Sequence, residues 1–92
     1  MGKDEKALIS NDLIREAVEL IKSMIFTSKR YSFECCVGQS FYFKTPRVII
    51  NVYDMHKMRC DIAYTAVCHD AEHLAEAIDR VRELIKKDGE SS

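Results

Sequence analysis

The stretch RVIINVYDMHKMRCDIAYTAVC, residues 47–68, holds two alternating apolar runs on either side of a short polar turn. In the first run Val48, Ile50 and Val52 fall on one side, and Arg47, Ile49, Asn51 and Tyr53 on the other. Successive side chains of a strand point to opposite faces, so a period of two marks a half-buried strand. In the second run Cys60, Ile62, Tyr64, Ala66 and Cys68 stand opposite Arg59, Asp61, Ala63, Thr65 and Val67. The turn DMHKM, residues 54–58, closes the two runs into a hairpin.

Upstream, YSFECCV, residues 31–37, alternates in the same way, with Tyr31, Phe33, Cys35 and Val37 opposite Ser32, Glu34 and Cys36. Three strands with one largely apolar face each predict an antiparallel sheet covered on one side only. The connection GQSFYFKTP, residues 38–46, is longer and contains Gly38 and Pro46; its aromatics Phe41, Tyr42 and Phe43 either cap the turn or extend a strand.

Helices flank the strands. Ser10 or Asn11 is the expected N-cap of a helix running to about residue 27, with Leu13, Ile14, Ala17, Val18, Ile21, Met24 and Ile25 at helical spacing. A second helix is expected from about residue 70, with Ala71, Leu74, Ala75, Ile78, Val81 and Ile85 as its apolar stripe. The fold class is therefore α+β, in the order α-β-β-β-α, with two parallel helices packed on one face of a three-stranded antiparallel sheet.

Ninety-two residues suit one domain, expected over residues 10–88, with a flexible tail at 1–9 and a flexible end at 89–92. Fourteen Lys and Arg against fifteen Asp and Glu give a net charge of −1, so a strongly basic nucleic-acid binder is not implied. The opening MGKDEKALIS lacks the apolar run of a secretory signal, and no run is long enough to span a bilayer. A cytoplasmic location with four reduced cysteines is the expectation, without membrane contact.

The densest cluster of reactive side chains is VCHDAEHLAEAI, residues 67–78. His69 and His73 lie four apart on one helix flank, and with Cys68 they raise a distant zinc reading. The pattern also reads as a helix start, with His69 or Asp70 as cap and Asp70 and Glu72 at the positive end of the dipole. The helix start explains more of the residues, so no metal site and no cofactor are assigned. Cys35, Cys60 and Cys68 are expected as core thiols, leaving Cys36 as the reactive one. No nucleophile elbow or phosphate-binding loop is present, and an enzyme is not expected.

Two surfaces remain. The uncovered sheet face, with Cys36, Ile49, Asn51, Tyr53, Asp61, Ala63 and Thr65, is less polar than a purely solvated face needs to be. It suits a protein partner or a homodimer contact. The topology also gathers Lys29, Arg30, Lys57, Arg59, Lys86 and Lys87 at one pole, which suits nucleic acid or an acidic protein.

Residues 12–87 resemble the double-stranded-RNA-binding domain in element order and length, YSFECCVG and PRVIINVYD looking like its first two strands. That family grips RNA partly through a lysine-rich start to the second helix, where this chain has HDAEH, and through a histidine in the first hairpin loop, which GQSFYFKTP lacks. The resemblance implies the fold, with protein contacts in place of the RNA grip. The layout is also similar to a family of small anti-CRISPR proteins that inhibit Cas9, with NDLIRE and VIINV as the matching segments. That likeness implies an inhibitor of phage or mobile-element origin. Taken together, the expectation is a small non-enzymatic binding module, an inhibitor or adaptor. Nucleic-acid binding through the basic pole is the alternative.

Overall fold

The computed structural model describes residues 8–41, 44–56 and 59–90, and the side chains at 56, 59, 89 and 90 are not among the described features. Helix α1 spans Asn11–Ile25. Ser10 caps it: the Ser10 hydroxyl oxygen accepts from the Leu13 amide at 3.1 Å, satisfying one of the donors a helix start leaves free. Ile9 precedes the cap and is buried, and Ile14 packs on the same core, the two positions of a hydrophobic staple. The tail expected over residues 1–9 therefore gives up Ile9 to the domain. The helix stops short of residue 27 because the Met24 carbonyl is taken by the amides of Thr27 and Ser28, at 3.2 and 3.0 Å, in a tightened last turn.

Strands β1 (Tyr31–Gln39), β2 (Pro46–His56) and β3 (Arg59–Cys68) form an antiparallel meander in the order β1-β2-β3. Tyr31, Phe33, Val48, Ile50, Val52, Ala66 and Cys68 are buried on its inner side, as the alternation predicts. In the connection between β1 and β2, Ser40 and Thr45 pair, and Lys44 takes a left-handed backbone with φ of 56°. Phe41 is exposed there, while Tyr42 and Phe43 lie outside the described residues.

The β2–β3 ladder contains one irregularity that alters the outer surface. Val52 pairs with Tyr64, but Tyr53 pairs with Ile62, so Ala63 is an extra residue in β3. A bulge of this kind reverses the parity of everything beyond it. Ile62 and Cys60 consequently sit opposite Tyr53 and Met55, on the open side, although their sequence alternation predicts the core. Ile62 is 67% exposed. Asp61 pairs with Asp54 and so takes the parity of the helix-covered side. Asp61, expected on the open face, is therefore out of phase with it, while Ala63 is the unpaired residue of the bulge and borders a groove shared with Arg80 and Leu84 of the second helix.

Helix α2 spans Ala71–Glu90. Asp70, not His69, caps it, accepting the His73 amide at 2.8 Å. Leu74, Ala77, Ile78 and Val81 are fully buried, with Leu84 and Ile85 half-buried behind them. Ala77 takes the core position expected of Ala75, which is exposed. At about 1.5–3 kcal/mol for each large aliphatic side chain buried, Leu74, Ile78 and Val81 are the main anchors of this helix.

Both helices bury their stripes in one core on one side of the sheet, α1 over β1 and α2 over β3 and β2. Arg82 joins them by donating to Glu16 at 2.9 Å. The exit of α1 is tied down by Ser28, whose hydroxyl donates to Asp88 at 2.9 Å and accepts from the Tyr31 amide at 3.1 Å. Among the described residues no helix is long and apolar enough to cross a membrane.

Candidate functional site

Among the described residues the side of the sheet away from the helices is uncovered, and cross-strand pairing orders it in rows. Cys36, Ile49 and Val67 form one row, Glu34, Asn51 and Thr65 the next, then Ser32, Tyr53 and Ile62, and last Met55 with Cys60. Cross-strand neighbours on one face lie close enough to interact directly, and here they separate by polarity.

The middle row is a hydrogen-bonded belt. The Thr65 hydroxyl donates to Asn51 Oδ1, and Asn51 Nδ2 donates to Glu34 Oε1 at 3.0 Å. The Tyr53 hydroxyl donates to the same carboxylate oxygen at 3.4 Å. Desolvation first, then the charge and hydrogen bond of Glu34, hold the Tyr53 hydroxyl above its ordinary pKa. The belt thereby fixes the polar groups among themselves. The rows on either side are mainly apolar, Ser32 and the Tyr53 hydroxyl apart, and Ile62, Met55 and Val67 are 67%, 51% and 45% exposed.

Of the residues expected here, Cys36, Ile49, Asn51, Tyr53 and Thr65 are brought together. Sequence reasoning missed Ile62, Met55 and Cys60, because the letters of β3 alternate straight through the bulge. Both Cys36 and Cys60 are exposed, so the expected core role of Cys60 is corrected. Cys68 is buried, and desolvation with the nearby Asp70 charge pushes its thiol from an ordinary 9.0 up to about 11. The Cys35 thiol is also raised, chiefly by burial.

The basic pole is less free than its composition suggests. The Arg30 guanidinium grips Asp54 with Nη2 at 2.9 Å and Nε at 3.1 Å, and stands 5.3 Å from the Tyr31 ring centre. The hydrogen bond to Asp54 raises the Arg30 pKa. Asp88 lies at the same pole, holding Ser28. Lys29 and Lys86 are exposed. Lys87 borders a groove of about 300 Å³ that is also lined by Ala63, Tyr64, Arg80, Glu83 and Leu84. Lys57 lies outside the described residues, and Arg59 is placed only by its backbone, opposite His56.

At the second helix start, Asp70 is committed to capping while His69 and His73 are exposed. Among the described residues no three His, Cys, Asp or Glu side chains converge on a point suited to a metal ion. No known protein family, curated protein or solved structure matches the chain.

Proposed function

We propose that this protein is a small non-enzymatic binding module, an inhibitor or adaptor, that contacts a protein partner through the open face of its sheet. One observation carries the reading: the uncovered face sets Ile49, Tyr53, Ile62, Met55 and Val67 in two apolar bands around an internally hydrogen-bonded polar belt. Glu34, Asn51, Thr65 and Tyr53 already pair with one another, so a partner that dries this face has fewer polar groups to match, chiefly Glu34 Oε2 and its charge. Aromatic and aliphatic anchors within a desolvated patch are where binding energy concentrates. Nucleic-acid binding through the basic pole is the weaker alternative, since Arg30 is engaged with Asp54 and the pole also holds Asp88.

A photo-crosslinking residue placed at Ile62, and separately at Arg80 on the outer side of α2, tests this in cells that make the protein. The reading expects discrete heterologous adducts from position 62, lost when Ile49→Asp is added, and none from position 80. Equal adducts from both positions, or none from 62, would refute it.

A further inference from the structure

Among the described residues two strands have a free side, β1 and β3, and the bulge at Ala63 interrupts that of β3. The edge of β1 is regular. The Met55 amide donates to the Arg30 carbonyl, and the Ser40 amide to the Thr45 carbonyl, each at 2.8 Å. By the alternation of an antiparallel ladder, even-numbered residues of this strand turn their backbone toward β2. Phe33, Cys35, Val37 and Gln39 therefore turn their N–H and C=O groups outward. The outward amide of Tyr31 is already taken by Ser28 Oγ. Residues 33–39 contain no proline, lysine or bulge, the usual devices that blunt an edge.

Helix α1 roofs this edge. Glu16 faces α2 through Arg82, and Val18 and Ile25 lie about 200° and 180° round the helix from it, on the flank over the β1 side. Ile25 is 52% exposed, and Val37, toward the other end of the strand, 49%. Two helices about 10 Å wide cover about 20 Å, whereas three strands at about 4.8 Å cover about 14 Å, so the roof overhangs by about 3 Å. Antiparallel pairing of two copies through β1 would bring the two α1 axes to about 4–5 Å, well inside the 8–10 Å at which helices pack. A single extended segment needs only one strand spacing, about 4.8 Å, of which the overhang covers about 3 Å.

Charge narrows the occupant. Arg15, Lys29 and Lys44 are exposed around the edge, Lys22 and Glu19 pair and cancel, and the remaining anion Glu34 turns to the open face, where it accepts from Asn51 and Tyr53. We propose that the outer edge of β1 is a strand-addition site for one extended segment of a partner protein, with alternating apolar residues and acidic ends. Every second side chain of the segment meets Val18 and Ile25, while its backbone completes the ladder on Phe33, Cys35, Val37 and Gln39. The site is separate from the open face and stands or falls independently of it.

The probe is the blocked peptide Glu-Val-Thr-Val-Thr-Val-Thr-Glu, titrated to about 1 mM, the weak end of specific binding, into the isotope-labelled full chain. The amides of Phe33, Cys35, Val37 and Gln39 shift and exchange more slowly, while those of Ser32, Glu34 and Cys36 keep their exchange rates. A lysine-ended peptide binds at least several-fold more weakly, and N-methylation of the alternate peptide amides that face β1 abolishes the response. Val37→Pro, which removes only an outward N–H, abolishes it as well, and the N-methyl peptide decides the matter if that variant does not fold. Three results would overturn the proposal: no β1 response up to that concentration, shifts confined to Tyr53, Ile62 and Val67, or β1 shifts that depend on protein concentration without peptide. The second would leave the open-face reading standing, and the third would identify a second copy as the occupant.

Discussion

Replacing Ile50 and Ile62 separately with threonine tests whether the bulge at Ala63 governs which residues form the outer surface. Both are isoleucines of alternating runs, and sequence alone gives both to the core. In the structure Ile50 is 1% exposed and Ile62 67%. Threonine keeps the β-branch, so strand preference is nearly unchanged in both variants. At position 50 it removes buried apolar volume at ~0.8 kcal/mol per methylene and introduces a buried hydroxyl at ~1–3 kcal/mol, for a loss of about 3 kcal/mol. At position 62 about a third of the side chain is covered, and the loss is about 0.5 kcal/mol. Each kcal/mol moves the melting midpoint of a domain this size by about 4–8 °C, giving drops of about 12–24 °C and about 2–4 °C. Thermal unfolding followed by circular dichroism, checked against urea midpoints at constant m, reads both. Equal drops, or one above about 8 °C for Ile62→Thr, would mean that Ile62 is buried and that β3 runs without the bulge.

Four further outcomes can be checked on the same protein. A thiol reagent at mild pH should titrate Cys36 and Cys60 rapidly, leaving Cys35 and Cys68 until the chain unfolds. Because the folded-state pKa of Cys68 is raised, its contribution to stability is complete below the ordinary thiol value of 9.0 and is lost as pH rises toward about 11. Denaturation midpoints should therefore fall across that window, less so in Cys68→Ala. Asp70→Ala should cost about 1 kcal/mol and Asp70→Asn much less, since both Asp and Asn accept the amide of His73; equal losses in chemical denaturation would deny the cap. Fluorescence anisotropy against labelled RNA and DNA duplexes at low salt should show no salt-sensitive binding, and binding removed by Lys57→Ala with Arg59→Ala would reinstate the basic pole.

The elements legible in the sequence are those specified by local spacing. A cap at Ser10 or Asn11 before a 3.6-residue stripe, one at His69 or Asp70 before another, and strict alternation in β1 and β2 each follow from one stretch of chain; the structure selects Ser10 and Asp70 and keeps the alternation, with Val37 exposed toward the end of β1. What could not be read depends on pairing between stretches. Arg30 finds Asp54 only once Tyr31 is in register with it, and Glu16 finds Arg82 only once the helices lie side by side. Ile9 looks like tail because its burial depends on the packed core beneath it rather than on its neighbours. The bulge is the clearest case. CDIAY alternates as well as any regular strand, and the extra residue appears only when β3 is laid against the twist of β2. The candidate face inherits this limit: Ile49 and Tyr53 could be found from sequence, whereas Ile62 and Cys60 could not.

Two helices that cover one side of three strands necessarily leave the other side bare, so exposure of the sheet by itself says little about function. What needs explaining is the composition of the bare side. A regular β3 would bury Ile62 and Cys60, whereas the bulge turns both outward beside Tyr53 and Met55. Strand preference alone does not single out an isoleucine that is 67% exposed, because threonine at such a position would supply nearly the same preference and aggregate less. Bulges are over-represented at sheet edges, where this one lies, and beside active sites, where they redirect side chains. The same irregularity interrupts the free edge of β3 and leaves that of β1 regular. One extra residue thus distinguishes both surfaces: it adds apolar area to the open face and leaves β1 as the edge better suited to strand addition. Deleting Ala63 removes the irregularity without changing the Tyr53–Ile62 or Val52–Tyr64 pairs. Ile62 should then remain exposed while β3 becomes a second regular edge. If the deletion variant self-associates where the native chain does not, the bulge serves to guard β3. If it stays monomeric but loses the position-62 adducts, the bulge serves to shape the face.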